Sequence, residues 1–497
     1  MLPLLTINEE TIPNCLPNLL KKSIKFVTLR KTQHLDEFFY FSGWFEMVPV
    51  RLGRQDSNLR YPAPKAGALP LGHSPMWRVL YHRDMMTATI DVQKIALYEK
   101  WIGQVNSPSI LSLYAHIPFC TTRCTYCAFN TYTGLEALIE PFVEALCHEM
   151  MLVAQSGAGK FVSAHTLYFG GGTPSLLSPD QVGQIITTAH KYFNLETHAE
   201  ITLEVNPGSI DFGKIKGFKA AGINRVSIGV QSAQSADLEL FGRKHSFEDA
   251  AQAFQLARRA GFENVSIDLI YGAPYQTRAG WQNTLDTVLA WEPDHASLYT
   301  LTLEPQTLLE RQVSSGKVPF PDSDLAADMY EDAKETLAHG GFRQYEISNW
   351  SRPGFESRHN RQYWLNKPFL GFGPGAHGAA AGVRYWNVRP VNDYIRQIEQ
   401  GKVCAYPFSP ALADHEVATI EMAMTETIIL GLRLVHDGLD CAAFERRFGR
   451  SVYKVYGNQI DQLAQQGLLR KNQDRLYLTE KAYLVSNRVF VQFMPDD

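Results

Sequence analysis

Tyr114-Ala115-His116-Ile117-Pro118-Phe119-Cys120-Thr121-Thr122-Arg123-Cys124-Thr125-Tyr126-Cys127 places three cysteines at the spacing Cys-x3-Cys-x2-Cys, directly after the apolar run Leu111 to Ile117. Soft thiolates select zinc, Cu(I) or iron–sulfur centres, and a closed structural zinc site wants four ligands. A trio of thiolates with no fourth ligand in the run suits an iron–sulfur cluster with one coordination position left open to an external ligand. Two other readings stay open on spacing alone: a zinc knuckle completed by His116 or Cys147, and unrelated buried thiols.

Outward from this stretch, short β-branched and apolar runs alternate with helical patterns, as a parallel sheet of β–α units does. Six candidate strands follow: Leu111 to Ile117, Thr166 to Phe169, Glu200 to Val205, Arg225 to Val230, Asn264 to Ile270 and Ser297 to Leu303. Helical periodicity fills the intervals, as in Phe247 to Arg259, a helix that Gly261 should end. The conspicuous polar motifs all fall at strand C-termini, the rim where parallel α/β barrels place their chemistry. The expected fold is therefore α/β, an incomplete six-unit (β/α) barrel over residues 109–325 with an open side. Past about Pro321 a Gly- and aromatic-rich connecting region, 326–414, leads into a helical segment, 415–497. Helical periods from Glu416 to Leu434, at Phe444 to Phe448 and at Ile460 to Leu463 precede the strand-like Leu476 to Leu478. That order reads as a winged-helix-like module or as an α+β extension closing the open side.

Residues 1–108 show no clear period. Leu52 to Pro70 is rich in Gly, Pro and Arg and resembles a peptide recurrent in over-extended gene models, in which a transfer-RNA gene is translated in error. The expectation is an artefactual or disordered extension, with a true start near Met85 or Met86 or just before Leu111; a regulatory or targeting extension is the alternative.

With 497 residues the chain can build two or three domains. Its 47 basic against 51 acidic residues provide no global field for nucleic acid, which is not expected as a partner. Seven cysteines, three of them packed into eight positions, do not read as a disulfide framework, and a cluster needs reduced thiols. No apolar run approaches the roughly 20 residues that span a bilayer, and the first ten residues lack a secretory pattern. A cytoplasmic protein without a transmembrane segment is expected.

Beyond the cysteines, Phe169-Gly170-Gly171-Gly172-Thr173-Pro174 clears side chains from a strand end so that backbone can approach a ligand. Glu204 and Asp268 put carboxylates on otherwise apolar strands, where a ligand ammonium or hydroxyl could satisfy them. Gln231 can bind an adenine edge or a ribose, and Arg243 a carboxylate. Singly, each could be a rim residue satisfied by its neighbours; recurring at strand after strand, they favour a polar ligand in the barrel mouth.

The cysteine run, with Tyr126 before its last member, resembles the signature of the radical S-adenosylmethionine superfamily. Taken with Tyr114, the Gly-Gly-Gly-Thr-Pro run, Glu204, Gln231, Arg243 and Asp268, the chain from Leu111 to its C-terminus is similar to the branch holding oxygen-independent coproporphyrinogen III oxidases and HemW-type heme chaperones. The resemblance implies a 4Fe-4S cluster on Cys120, Cys124 and Cys127, and S-adenosyl-L-methionine on Tyr114, Tyr126, Gly171, Gly172, Thr173, Glu204, Gln231, Arg243 and Asp268. The oxidase takes two such molecules per site, and the resemblance leaves open whether some of these residues serve a second one here. Two departures separate the branches. The oxidases carry a further cysteine two residues after the third, where this chain has Phe129 in Cys127-Ala128-Phe129. Arg358-His359-Asn360-Arg361-Gln362-Tyr363-Trp364 also contains the His-Asn-x-x-Tyr-Trp string of the chaperones. His359 is the resulting heme-site candidate and His377 a weaker one. The resemblance implies a heme chaperone that passes bound heme to an apo-hemoprotein, without oxidase activity. A homodimer is an allowed assembly, and an electron donor is needed only if the centre is catalytic. The alternative is an oxidoreductase that decarboxylates coproporphyrinogen III in porphyrin biosynthesis.

Overall fold

The computed structural model describes residues 38–42, 46–50, 110–156, 162–472 and 474–495. Most of the reading of residues 1–108 therefore lies outside the described residues. Within that stretch β1 (Phe38–Ser42) and β2 (Glu46–Val50) pair antiparallel in a two-stranded sheet of their own.

Six parallel strands make the core: β3 (Ile110–Ile117), β4 (Ser163–Gly171), β5 (Glu200–Val205), β6 (Arg225–Gln231), β7 (Asn264–Tyr271) and β8 (His295–Thr300), neighbours in sequence order. Helices cover them, so their residues are buried on both faces and read as apolar runs; Leu111 to Ile117 is buried without a break. Local chemistry sets the crossovers. Ser178 and Gln181 form a reciprocal capping box at the start of the helix Pro179–Phe193, and Ser246 with Asp249 does the same for Phe247–Arg259. Gly261, at φ +86°, turns the chain after that second helix as expected.

The sixth strand lies two residues earlier than expected at its start and ends at Thr300 rather than Leu303. Its first residue, His295, is fully buried and bonds Ser266 Oγ and the Tyr345 hydroxyl, both at 2.8 Å. A polar residue held by such partners is invisible to an apolar-run criterion. The fold class stands, and the sheet runs well past six strands. On the β3 edge β11 (Phe369–Phe372) adds in parallel, followed antiparallel by β12 (His377–Ala380), β13 (Val383–Asn387) and β14 (Leu412–Val417). On the β8 edge β10 (Asn349–Ser351) and β9 (Arg343–Glu346) add antiparallel. The connecting region thus extends the barrel sheet on both sides.

The last segment carries the helix Ile420–Arg433 and a three-stranded antiparallel sheet of β15 (Leu439–Asp440), β17 (Arg475–Leu478) and β16 (Leu469–Lys471), with helices Cys441–Phe448 and Val452–Gln465 between. The first helix starts four residues later than its period suggests, because Thr419 caps it by accepting from Met422 N and Glu416 still belongs to β14. One apolar cluster runs without interruption from Leu111 in β3 to Phe493 near the C-terminus.

Candidate functional site

The cysteine loop leaves β3 at the C-terminal rim and is tied down on three sides. Cys120 N donates to Tyr132 O at 2.9 Å, Thr125 N to Phe241 O at 3.0 Å, and Leu309 N to Thr125 O at 2.8 Å. The loop forms one wall of a cavity of about 450 Å³, within the usual size of small-molecule sites. Cys120, Cys124 and Cys127 all line it.

At the end of β4 the glycines fit as steric necessity. A Cβ on Gly172 would stand 2.7 Å from Phe119 O and 3.1 Å from Cys120 Sγ, and one on Gly171, at φ +108°, would stand 2.5 Å from the His116 ring. Thr173 Oγ1 donates to Cys120 Sγ at 3.4 Å. Burial pushes the Cys120 thiol up, and the Thr173 hydrogen bond opposes that push. Arg243 reaches in from beyond β6, its Nη1 3.5 Å from Cys124 Sγ and its Nη2 3.0 Å from Gly229 O, while its Nε is buried without a partner. The guanidinium thus sets a positive charge beside one of the three sulfurs. Gln231 sits at φ +69° where the β6–β7 register shifts, a backbone distortion that turns the strand end into the cavity. Tyr126 packs edge-on against Phe241 at 5.4 Å, and burial raises its phenol.

The carboxylates stand deeper. Glu204 accepts from the Tyr168 hydroxyl at 2.9 Å; burial, reinforced by the charge of Asp268, raises its carboxyl to about 8. Ser227 Oγ lies 3.0 Å from both Asp268 oxygens, and burial raises that carboxyl too. A carboxyl pair held in this state is poised for a cationic ligand, whose charge would favour ionisation.

The residues fit a three-thiolate cluster. Among the described residues no three His, Cys, Asp or Glu side chains could hold a single metal ion, whereas a cube of irons takes one thiolate at each of three corners. His116 cannot complete a zinc knuckle as it stands, because its Nδ1 bonds the Tyr114 hydroxyl at 3.1 Å and its Nε2 bonds Asn130 O at 2.9 Å. Cys147, on the helix Ile139–Gln155, does not line the cavity.

Of the residues expected from sequence, all but Tyr114, His359 and His377 line this one cavity. Tyr114 lies behind it, its ring 3.0 Å from where a Gly170 Cβ would stand. His359 is fully buried on the helix Arg358–Trp364. Its Nδ1 bonds Thr166 Oγ1 and its Nε2 the Tyr363 hydroxyl, both at 2.8 Å, and its ring stacks on Tyr168 at 4.9 Å. In this conformation neither nitrogen is open to an iron; the neighbours Asn360, Tyr363 and Trp364 are the ones that face the cavity. His377 stacks on Trp386 at 5.8 Å. Sequence reasoning missed the far wall, which comes from β9, β10, β13 and the C-terminal segment and includes Asn349, Arg384, Arg433 and Phe490. Only the His-Asn-x-x-Tyr-Trp string, through Asn360, Tyr363 and Trp364, signalled that wall.

Comparison with known proteins gives consistent matches. The family model of the radical SAM superfamily matches residues 114–288, and that of the HemN C-terminal domain matches residues 419–485. The heme chaperone HemW of Lactococcus lactis is 36% identical over 386 residues, covering 78% of this chain and 98% of that protein. HemW of Bacillus subtilis is likewise 36% identical over 386 residues, covering 77% and 99%. Among solved structures, the coproporphyrinogen III oxidase HemN of Escherichia coli superposes with a TM-score of 0.68 at 24% identity, over 80% of this chain and 93% of that one, a likeness of fold.

Proposed function

This chain belongs to the radical S-adenosylmethionine superfamily and, within it, to the family of HemW heme chaperones, and from that premise we propose that it binds heme and hands it to an apo-hemoprotein. The observation that carries the reading is the continuity of one cavity from the three cysteines to the aromatic face of the Arg358–Trp364 helix. Cys120, Cys124 and Cys127 would hold the 4Fe-4S cluster, and the strand-end set from Gly171 to Asp268 would hold S-adenosyl-L-methionine. Bound there, that pair supplies reductive carbon–sulfur cleavage in enzymes of the superfamily. Phe129 lines the cavity where the oxidases carry their additional cysteine, and a phenyl group can neither ligate iron nor relay a hydrogen atom. Residues 109–325 serve in this reading as the cofactor core, 326–414 as the region bearing the heme motif, and 415–497 as the cover. Expected partners are heme, an apo-hemoprotein, a second copy of this chain and, for any turnover, a one-electron donor. No described helix is long and apolar enough to cross a membrane, and a cytoplasmic site of action is part of the proposal.

The test is paired. Anaerobically reconstituted full-length chain is titrated with heme and then mixed with an apo-hemoprotein, while a parallel sample receives coproporphyrinogen III, S-adenosyl-L-methionine and a reductant. Stoichiometric heme uptake followed by transfer supports the chaperone; catalytic release of protoporphyrinogen overturns it. Cys120→Ala, Cys124→Ala and Cys127→Ala should each lose cluster iron and keep native circular dichroism, because the sulfurs face the cavity and leave the barrel core untouched.

A further inference from the structure

The far half of the cavity combines a broad apolar surface with one guanidinium. Tyr363, Trp364, Leu430 and Phe490 supply the surface, and Arg433, the last residue of the helix Ile420–Arg433, reaches in among them. The Arg433 guanidinium lies over the Trp364 ring, 4.3 Å from its centroid, and Nη2 stands 3.2 Å from Glu346 Oε2. Glu346 is fully buried and is further held by Ser348 N at 3.0 Å and by the Asn349 amide. Stacking and ion pair together hold the guanidinium plane, yet Nε is buried with no hydrogen-bond partner. Buried donors are seldom left unpaired, and arginine has five, enough to serve Glu346 and a second carboxylate at once.

We propose that Arg433, braced on Trp364 and Glu346, is the carboxylate anchor of this cavity and binds a propionate of heme while the macrocycle lies against the aromatic wall. The inference rests on the heme-chaperone reading and goes beyond it: it places the cargo's recognition on a residue of the C-terminal helix. A ligand with a flat apolar body and a carboxylate edge matches a guanidinium set beside apolar side chains. Retention of heme then depends on the C-terminal segment as much as on the barrel.

The experiment compares heme with its dimethyl ester, which keeps the iron and ring and lacks the two anionic edges. Binding of each is titrated to the cluster-loaded full chain. A charge-assisted hydrogen bond in a buried site is worth about tenfold in affinity, so the wild-type chain should bind heme about tenfold more tightly than the diester. Arg433→Met combined with Glu346→Gln, which strands no buried carboxylate, should bring heme down to the diester's affinity and leave the diester unchanged. Glu346→Gln alone, which removes one brace and keeps the guanidinium, should weaken the discrimination less than the double variant does. Arg433→Lys retains the cation while removing the guanidinium's additional donors, so it tests the anchor even if the double variant fails to load iron. It should lose several-fold for heme only. Undiminished discrimination in the double variant, or in Arg433→Lys, overturns the anchor while leaving the chaperone reading intact; a wild-type chain that binds neither ligand overturns both.

Discussion

Glu204 shows how a residue's surroundings fix what it can do. Its carboxyl is raised to about 8, first by burial and then by Asp268, although Tyr168 and the Gly171 amide oppose the rise. With the unfolded value near 4.5, the folded chain binds more protons than the unfolded one between those limits. Stability of the nucleotide-free protein therefore falls as pH rises from about 4.5 to about 8. Each tenfold gain in proton affinity on folding is worth about 1.4 kcal/mol. Glu204→Gln should accordingly match the wild type at about pH 5 and be more stable by a few kcal/mol at about pH 8.5; denaturant melts at both values check it. Equal stability of the two chains at the higher pH would contradict the buried carboxyl. His359 makes the complementary case. Burial lowers its imidazole to about 3, and it supports the Tyr168 ring that in turn bonds Glu204. His359→Ala should cost about 2–4 kcal/mol in thermal or denaturant stability, from a cavity and two stranded hydroxyl partners, and a loss of heme binding at unchanged stability would instead mark it as a direct ligand. The residue types of the cofactor half were legible from sequence because cysteine spacing and charged residues on apolar strands stand out. Arg433 was not, since an arginine at a helix C-terminus is ordinary until the Trp364 ring and Glu346 are placed beside it.

At the scale of elements, the glycine loop Gly371-Phe372-Gly373-Pro374-Gly375 latches the cysteine loop. Gly373, at φ +102°, packs so closely that a Cβ would stand 2.6 Å from His116 O, and at Gly375, at φ +73°, one would stand 2.6 Å from Asn130 Nδ2. Asn130 Nδ2 donates to Pro374 O at 2.9 Å and to Arg389 O at 3.0 Å, closing the latch behind Cys127. Beneath it the fully buried Glu149 accepts from Gly373 N at 2.8 Å and from Asn387, Tyr394 and Ser409, each at 2.7 Å. Gly373→Ala must strain a left-handed backbone and displace β3, so a loss of at least about 2 kcal/mol is expected together with fewer irons per chain after reconstitution. Full iron loading with unshifted melting would show that the latch does not shape the cluster loop. The six parallel strands were readable because burial on both faces writes them as apolar runs. Strands β9 to β14 were not, because several are only three or four residues long and mix glycine with aromatic and polar side chains. Their pairing is decided by the sheet edges they meet.

Among the described residues the barrel and the C-terminal segment share one large apolar cluster, and a small second one of Phe241, Ile270, Ala273, Leu301, Leu309 and Val313 lies beside the cavity. The apolar cluster joins β3 to Phe493, and ion pairs cross the same boundary, Arg433 to Glu346 at 3.2 Å and Arg384 to Glu426 at 2.6 Å. Among the described residues, every one that lines the cavity lies between Cys120 and Phe490, and the hairpin of β1 and β2 pairs with no described strand of the large sheet. β3, by contrast, is central, bonded in parallel to β4 on one side and to β11 on the other. A chain that starts at residue 109 keeps this strand whole, so it should match the full chain in irons bound, melting midpoint and heme affinity. A chain that starts at Phe119 loses the strand that both halves of the sheet pair with, and it should fail to accumulate as folded protein. Reduced iron or heme uptake in the first truncation would give residues 1–108 a working role and would argue against their origin in a misplaced start, whereas unchanged binding places all of the chemistry behind Ile110.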